Sequence, residues 1–300
     1  MDYIDLHFGG HARVIATAVL RGADGVTLVD PGPTSCLPAL ERGLAGLGAS
    51  LSDVRRILLT HIHLDHAGAT GTILARVPAA EVLVHERGAP HMIHPAKLIA
   101  SATRLYGDRM DALWGRFDAA PAERVRVLQG GERLDVAGRP IRVAYTPGHA
   151  VHHVSYLDES DGTAYVGDTC GIRVAGDYIV AATPPPDIDI ELWNRSLDAI
   201  EAWQATSLFL THFGPVGAAR AHRKLSPGPG GDGEAVSGSL AGGDSDEQRA
   251  AQFAADMRRA ARQALSETDA AALEQAAPFE QIWAGLARYW RKRRPSDAGG

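Results

Sequence analysis

The chain of 300 residues contains only two cysteines, Cys36 and Cys170, so no disulfide framework can hold it together. It has no excess of positive charge, with thirty Lys and Arg against thirty-six Asp and Glu and a net charge of −6. That balance argues against a nucleic-acid or anionic-membrane surface, so no nucleic acid is expected as a partner. No run approaches the roughly 18 apolar residues that a membrane span needs. The N-terminus, Met1-Asp2-Tyr3-Ile4-Asp5, has neither a basic leader region nor a long apolar stretch, and the expectation is a cytoplasmic protein. What the chain does have is 45% hydrophobic residues, enough for a substantial core in one large α/β domain or a domain with a tail.

Its most informative segment is Thr60-His61-Ile62-His63-Leu64-Asp65-His66-Ala67-Gly68, which places three imidazoles and one carboxylate directly after the apolar, strand-like Ile57-Leu58-Leu59. Imidazole with carboxylate suits zinc, iron or manganese, and a two-residue spacing points His61 and His63 the same way from an extended strand end. Asp65 and His66 fall at the start of a helix read over Gly68 to Arg76 and address a second point nearby, so two metals become feasible. Three further groups follow strand-like runs: His149 in Thr146-Pro147-Gly148-His149, Asp168 in Val166-Gly167-Asp168, and His212 in Thr211-His212. Ligands offered from several strand ends converge on one edge of a sheet, where open α/β folds place their sites. Cys170 reads as a small core residue and stays out of the site. His152 and His153 read as packing or supporting groups rather than ligands.

Strands and helices alternate along the chain. Strands are predicted over 13–19, 25–30, 52–59, 81–85, 124–128, 141–145, 153–157, 163–167 and 207–210, and helices over 35–47, 68–76, most of 95–114, and 190–204. Three parts emerge: a catalytic domain over 1–225, a Gly/Pro/Ser-rich linker over 226–246 that is too poor in apolar residues to order itself, and a helical C-terminal extension over 247–300. In the extension Phe279, Ile282, Trp283, Leu286, Tyr289 and Trp290 form an apolar stripe at helical spacing that must bury itself on the catalytic domain or on a sister subunit, the second arrangement being a homodimer through the C-terminal helices. The basic run from Arg291 to Arg294 reads as a solvated helix end.

Over about residues 10 to 215 the chain resembles the metallo-β-lactamase fold superfamily, through Asp30 in Val-Asp-Pro-Gly, His-x-His-x-Asp-His at 61 to 66, Pro-Gly-His149, Gly-Asp168 and Thr-His212. The resemblance implies an α/β fold, the αββα four-layer sandwich, with a dinuclear site on the sheet edge. It also implies that His61, His63 and His149 hold one metal and Asp65, His66 and His212 the other, with Asp168 bridging and Asp30 supporting from behind. Asp65 and Asp168 are the candidate catalytic carboxylates. The implied cofactors are two divalent ions, foremost Zn(2+), with Fe or Mn as alternatives. Such a pair lowers the pKa of a shared water towards neutrality and makes hydroxide the nucleophile.

The leading expectation is hydrolysis of a small carboxylic ester, thioester or lactone, as in the hydroxyacylglutathione hydrolase and acyl-homoserine lactonase branches. A phosphodiesterase or ribonuclease of the same fold is the alternative, and an iron-dependent dioxygenase ranks below it. The small-molecule substrate is expected between the segment 87–120, with His91, His94, Tyr106 and Trp114, and the loop 183–189. Tyr106 or Tyr178 is a candidate donor to an oxyanion.

Overall fold

The protein is described by a computed structural model over residues 1–217, 236 and 245–293. Among the described residues twelve strands make two six-stranded sheets. The first runs in chain order through β1 (Asp2–Asp5), β2 (Ala16–Gly22), β3 (Gly25–Val29), β4 (Val54–Leu58), β5 (Glu81–His85) and β6 (Val125–Leu128). It is antiparallel up to β3 and parallel from β3 to β6. The second comprises β7 (Arg133–Val136), β8 (Arg139–Tyr145), β9 (Val154–Asp158), β10 (Thr163–Tyr165), β11 (Ser207–Leu210) and β12 (Gly214–Gly217). Here the order also follows the chain, and only β10 and β11 pair in parallel.

The sheets face one another. Ala18, Val29, Leu58 and Leu83 from the first meet Ile141, Val143, Val154, Tyr156 and Phe209 from the second in one buried cluster. Alternation along β8, with Ile141 and Val143 inward and Arg142 only half-buried, is what a strand with one apolar face requires. The Tyr156 hydroxyl donates to the Leu59 carbonyl at 2.7 Å and ties the layers at the edge where the motif begins.

Helices cover the outer faces: α1 (Leu37–Gly46), α2 (Leu64–Ala67), α3 (Thr70–Arg76), α4 (Ala89–Ile93), α5 (Ala96–Tyr106), α6 (Met110–Trp114) and α7 (Ile190–Ala202). In α7, Ile190, Trp193, Leu197 and Ile200 recur at helical spacing and are buried, and the Asp189 carboxylate caps the Leu192 N–H at 2.9 Å. The four-layer α/β sandwich is therefore the observed architecture.

Several boundaries differ from expectation for local reasons. Asp65 and His66 sit on the separate turn α2, not at the head of the helix read from Gly68, which begins at Thr70. The helical region 95–114 breaks at Gly107, whose φ of +53° no right-handed helix accepts. The first predicted strand starts three residues late, because Arg13 takes φ +63°. Strands β1, β7 and β12 were not foreseen; each is four residues long and lies at a sheet edge, paired on one side only, so it needs no continuous apolar run.

The C-terminal extension folds as α8 (Asp246–Ala264), α9 (Glu267–Ala276) and α10 (Phe279–Arg293), with α8 opened by a reciprocal Ser245–Gln248 cap. The apolar stripe packs on its own chain: Phe279, Ile282, Trp283, Leu286 and Tyr289 are buried, and Trp290 is half-buried. Thr183 donates to the Ile282 carbonyl at 3.1 Å, the Tyr289 hydroxyl donates to Glu191 at 2.9 Å, and Arg13 pairs with Asp269. Arg291, Lys292 and Arg293 are exposed, as read, and Arg294 lies outside the described residues. So does the linker over 226–246, except for the buried Val236 and residues 245–246. Among the described residues no helix is long and apolar enough to cross a membrane.

At Gly285 the α10 backbone passes so close that an added Cβ would stand 1.9 Å from the Thr183 carbonyl oxygen. Gly285→Ala should therefore push α10 away from the 183–186 loop and cost about 1–3 kcal/mol. Thermal unfolding should show a lower Tm than the parent; an unchanged Tm would mean that α10 is not seated there.

Candidate metal centre

All the predicted ligands leave the C-terminal ends of strands. The segment Leu59–His63 and the turn α2 follow β4; Thr146–His149 follows β8; Val166–Asp168 follows β10; Thr211 and His212 follow β11. β10 is antiparallel to β9 and β9 to β8, so β8, β10 and β11 all run the same way and release their loops on one edge. The Thr60 carbonyl accepts from Val154 N–H and the Thr211 carbonyl from Ala16 N–H, both at 2.8 Å, which joins the two sheets at that edge. Gly148 is required before His149: its φ is +137°, and a Cβ would lie 2.3 Å from the Trp193 Cα.

The seven side chains meet. His149 Nε2 lies 3.2 Å from His61 Nε2 and 3.0 Å from His63 Nδ1, and the last two are 3.0 Å apart. Tetrahedral bonds of 2.0–2.1 Å from imidazole nitrogens to zinc would set such atoms about 3.3 Å apart, so the triangle fits a shared cation. Asp65, His66 and His212 form a second group, with His66 Nε2 3.6 Å and His212 Nε2 3.3 Å from Asp65 Oδ2. Asp168 stands between the groups: Oδ2 is 3.5 Å from His149 Nε2, while Oδ1 is 3.3 Å from His66 Nε2 and 3.6 Å from His212 Nε2. His66 Nε2, His212 Nε2 and Asp168 Oδ1 are buried and have no hydrogen-bond partner among the described residues. Buried polar atoms are rarely left so, and a divalent cation is the group this donor set fits.

The far side of each ring explains why the lone pairs point inward. His149 Nδ1 donates to the Ala182 carbonyl at 2.7 Å, His212 Nδ1 to the Val14 carbonyl at 2.6 Å, and His66 Nδ1 to Asp30 Oδ2 at 2.8 Å, so in each neutral ring Nε2 is the nitrogen that offers its lone pair. His61 Nδ1 meets the Thr60 hydroxyl at 3.1 Å. Asp30, fully buried at φ +52°, also accepts from Thr60 N–H at 2.8 Å, Thr60 Oγ1 at 2.7 Å and Thr211 Oγ1 at 2.8 Å. The support expected of Asp30 is thus four hydrogen bonds to three of the ligand-bearing segments.

Charge is unevenly shared in the cluster. Burial, reinforced by the neighbouring imidazoles, holds His61 well below its ordinary value, and burial holds His63 low and brings His149 to about 4. Burial also disfavours the charged form of His66 and His212, but Asp168 and Asp65 outweigh it and raise both. In return, against a burial effect that would raise them, the facing imidazoles hold Asp168 well below the carboxylate range and Asp65 at about 2.

The cluster floors a cavity of about 840 Å³, lined by His63, Asp65, Asp168 and His212 together with Ile62, Leu98, Trp114, Ile172 and Pro184–Pro186. Of the walls expected from sequence, His91, Tyr106, Trp114 and residues 183–187 line it, while His94, Ile188 and Asp189 do not; nor does Tyr178, the alternative oxyanion donor. Sequence reasoning missed the roof, which Gln275, Ala277, Gln281 and Ile282 of the extension supply, and the N-terminal Phe8, which stacks on Trp114 with centroids 5.1 Å apart. The apolar stripe of the extension was the available signal. Cys170 is buried, and burial pushes its thiol up to about 12, as suits a core residue.

Residues 12–212 match the family model described as the metallo-beta-lactamase superfamily. The chain is 33% identical over 162 residues to a metallo-beta-lactamase fold-containing protein of Sulfurisphaera tokodaii, covering 51% of this chain and 60% of that one. It is 31% identical over 151 residues to a hydroxyacylglutathione hydrolase of Synechococcus, covering 50% and 47% respectively. The chain thus spans about half to three fifths of the length of these two curated relatives. Among solved structures, a metallo-beta-lactamase family protein from Thermus thermophilus superposes with a TM-score of 0.68 at 25% identity, covering 95% of this chain and 91% of its own.

Replacing Asp30 by Ala leaves Thr60, Thr211 and His66 donors stranded in the core. Metal affinity should fall about 10–100-fold, the usual loss when the group behind a ligand is removed. Metal titration of the variant measures this, and parental affinity would show that Asp30 does not orient the ligands.

Proposed function

The chain belongs to the metallo-beta-lactamase superfamily of hydrolases, and we propose that it cleaves a small carboxylic ester, thioester or lactone with the help of two divalent ions, zinc before iron or manganese. The observation that carries this reading is the convergence of seven candidate ligands, four of which (His63, Asp65, Asp168 and His212) line one cavity with mainly apolar walls. His61, His63 and His149 would hold one ion, Asp65, His66 and His212 the other, and Asp168 would touch both. When bound, such a pair supplies hydroxide at neutral pH and polarises the oxygen of the bond to be cleaved. The relatives named hydroxyacylglutathione hydrolases support the thioester branch.

The chain's own residues do the rest. The backbone carbonyls of Val14 and Ala182 and the Asp30 carboxylate keep the imidazoles in the ligating tautomer without rearrangement. Phe8, Trp114 and Ile282 give the cavity a carbon-rich wall suited to an acyl group. The thiol of Cys170 stays protonated and buried, so a cysteine acyl-enzyme is not part of the scheme.

A panel of a lactone, a glutathione thioester, a phosphodiester and a β-lactam should give turnover with the first or second. Chelation should abolish that turnover and metal addition restore it. His61→Ala should reduce it to background in a folded chain; turnover retained in that variant, or confined to the phosphodiester, would defeat the reading.

The two metal groups should also separate on acidification. His66 and His212 carry raised pKa values, so protons compete for them at higher pH than for His61 and His149, which burial keeps unprotonated to lower pH. As pH falls, equilibrium dialysis should find the bound metal dropping from two ions to one before reaching zero. The first ion lost should be the one that His212→Ala never binds. A single-step release, or the same first step in His212→Ala, would contradict this order.

A further inference from the structure

His152 and His153 are adjacent but face different surroundings. His153 is spent on the fold: fully buried, its Nδ1 lies 2.9 Å from the Thr146 hydroxyl and 3.2 Å from that of Thr169. His152 is also buried, yet its side belongs to the cavity, which it lines with His63, Asp65, Asp168 and His212. The backbone N–H of Ile62 donates to His152 Nδ1 at 3.4 Å. An imidazole that accepts at Nδ1 carries its proton on Nε2. The ring lies parallel to His61, centroids 6.1 Å apart at 10°, and edge-on to His63 at 5.7 Å and 89°, so its position beside the ligands is fixed.

Among the described residues no acceptor is recorded for that Nε2–H. Two hydroxyl donors on the cavity wall are engaged elsewhere, Thr183 with the Ile282 carbonyl and Tyr106 with Gln281 Oε1 at 3.5 Å, whereas Ser101 and Trp114 also line the cavity but, unlike His152, make no ring contact with His61 or His63. A donor held beside the candidate metal ligands, itself buried, with no partner of its own, has the properties of a group that stabilises developing negative charge.

We propose that His152 Nε2–H donates a hydrogen bond to the carbonyl oxygen of the bound acyl substrate and stabilises the negative charge that builds on it as the acyl carbon is attacked. The proposal rests on the acyl-hydrolase reading above. His152 moves no proton in this role; it binds and orients one oxygen, and more strongly in the transition state than in the ground state. In the metallo-enzyme it therefore acts mainly on kcat.

The test compares His152→Ala with the parent as metal-loaded full chains, recording metal content, kcat and KM on the preferred acyl substrate, and the Kd of a phosphonate ester that mimics the tetrahedral oxyanion. Removing one such donor costs about 100–1,000-fold in kcat. We expect a loss on that scale with KM changed less than about threefold, undiminished metal content, and a phosphonate Kd raised at least tenfold. A kcat within threefold of the parent, or a loss matched by equal loss of metal, would overturn the proposal. Should the Ala variant fail to fold, His152→Gln and His152→Glu decide it: both can accept from Ile62 N–H but only Gln can also donate, so Gln should be the more active by tenfold or more. Equal activities would refute the donor role. If the parent hydrolyses no acyl substrate, the reading of the function fails by itself. The phosphonate comparison then decides the donor: weaker binding by the Ala variant upholds it and unchanged binding removes it.

Discussion

The hydrogen bonds collected by Asp30 are the constraint on which the rest of the centre depends. One carboxylate, buried at the end of β3, receives the Thr60 backbone and hydroxyl from the segment after β4, the Thr211 hydroxyl from the segment after β11, and the His66 ring from α2. A carboxylate without water survives burial only if its lone pairs are met, and here four donors meet them. Because those donors belong to segments that carry His61, His66 and His212, satisfying Asp30 and aligning the ligands are the same event. Thr60 extends the chain of contacts to His61 Nδ1. The fold thus gathers lone pairs around candidate cation positions, and a bound cation would relieve the crowding of unpartnered nitrogen and oxygen atoms that the arrangement creates.

Topology makes this economical. Strands β8, β10 and β11 run in one direction, so three loops leave one edge of the second sheet, and β4 delivers the histidine motif from the first sheet at the same edge. The apolar faces between the sheets fix their relative position, while the ligands stand on the short segments beyond the strands, where the backbone is free to turn. The extension then closes the space above. Its stripe buries itself on the 183–186 loop and the N-terminal half of α7, and its polar residues Gln275 and Gln281 remain on the cavity wall. Packing of the extension and enclosure of the cavity therefore share one helix, α10.

Much of the centre was legible in the sequence because imidazole and carboxylate side chains are chemically conspicuous and each followed an apolar run. His61, His63, Asp65, His66, His149, Asp168 and His212 could be picked out that way, and all seven meet. The partners that fix the ring tautomers could not, since Val14 and Ala182 contribute carbonyl oxygens and any residue type offers those. The different surroundings of His152 and His153 were hidden for a similar reason: they depend on the turn that follows His149 rather than on either side chain. The edge strands β1, β7 and β12 escaped because half-paired strands carry mixed composition. The stripe on α10 announced that it must be covered, and the structure covers it with its own chain.

The most direct test of the account is a crystal structure of the protein purified with its metals, with anomalous data collected across the zinc, iron and manganese edges. The account predicts two anomalous peaks, one enclosed by His61, His63 and His149 and one by Asp65, His66 and His212, with Asp168 touching both. A single ion bound elsewhere, or these seven side chains collapsed onto one another with no ion after saturation, would contradict it.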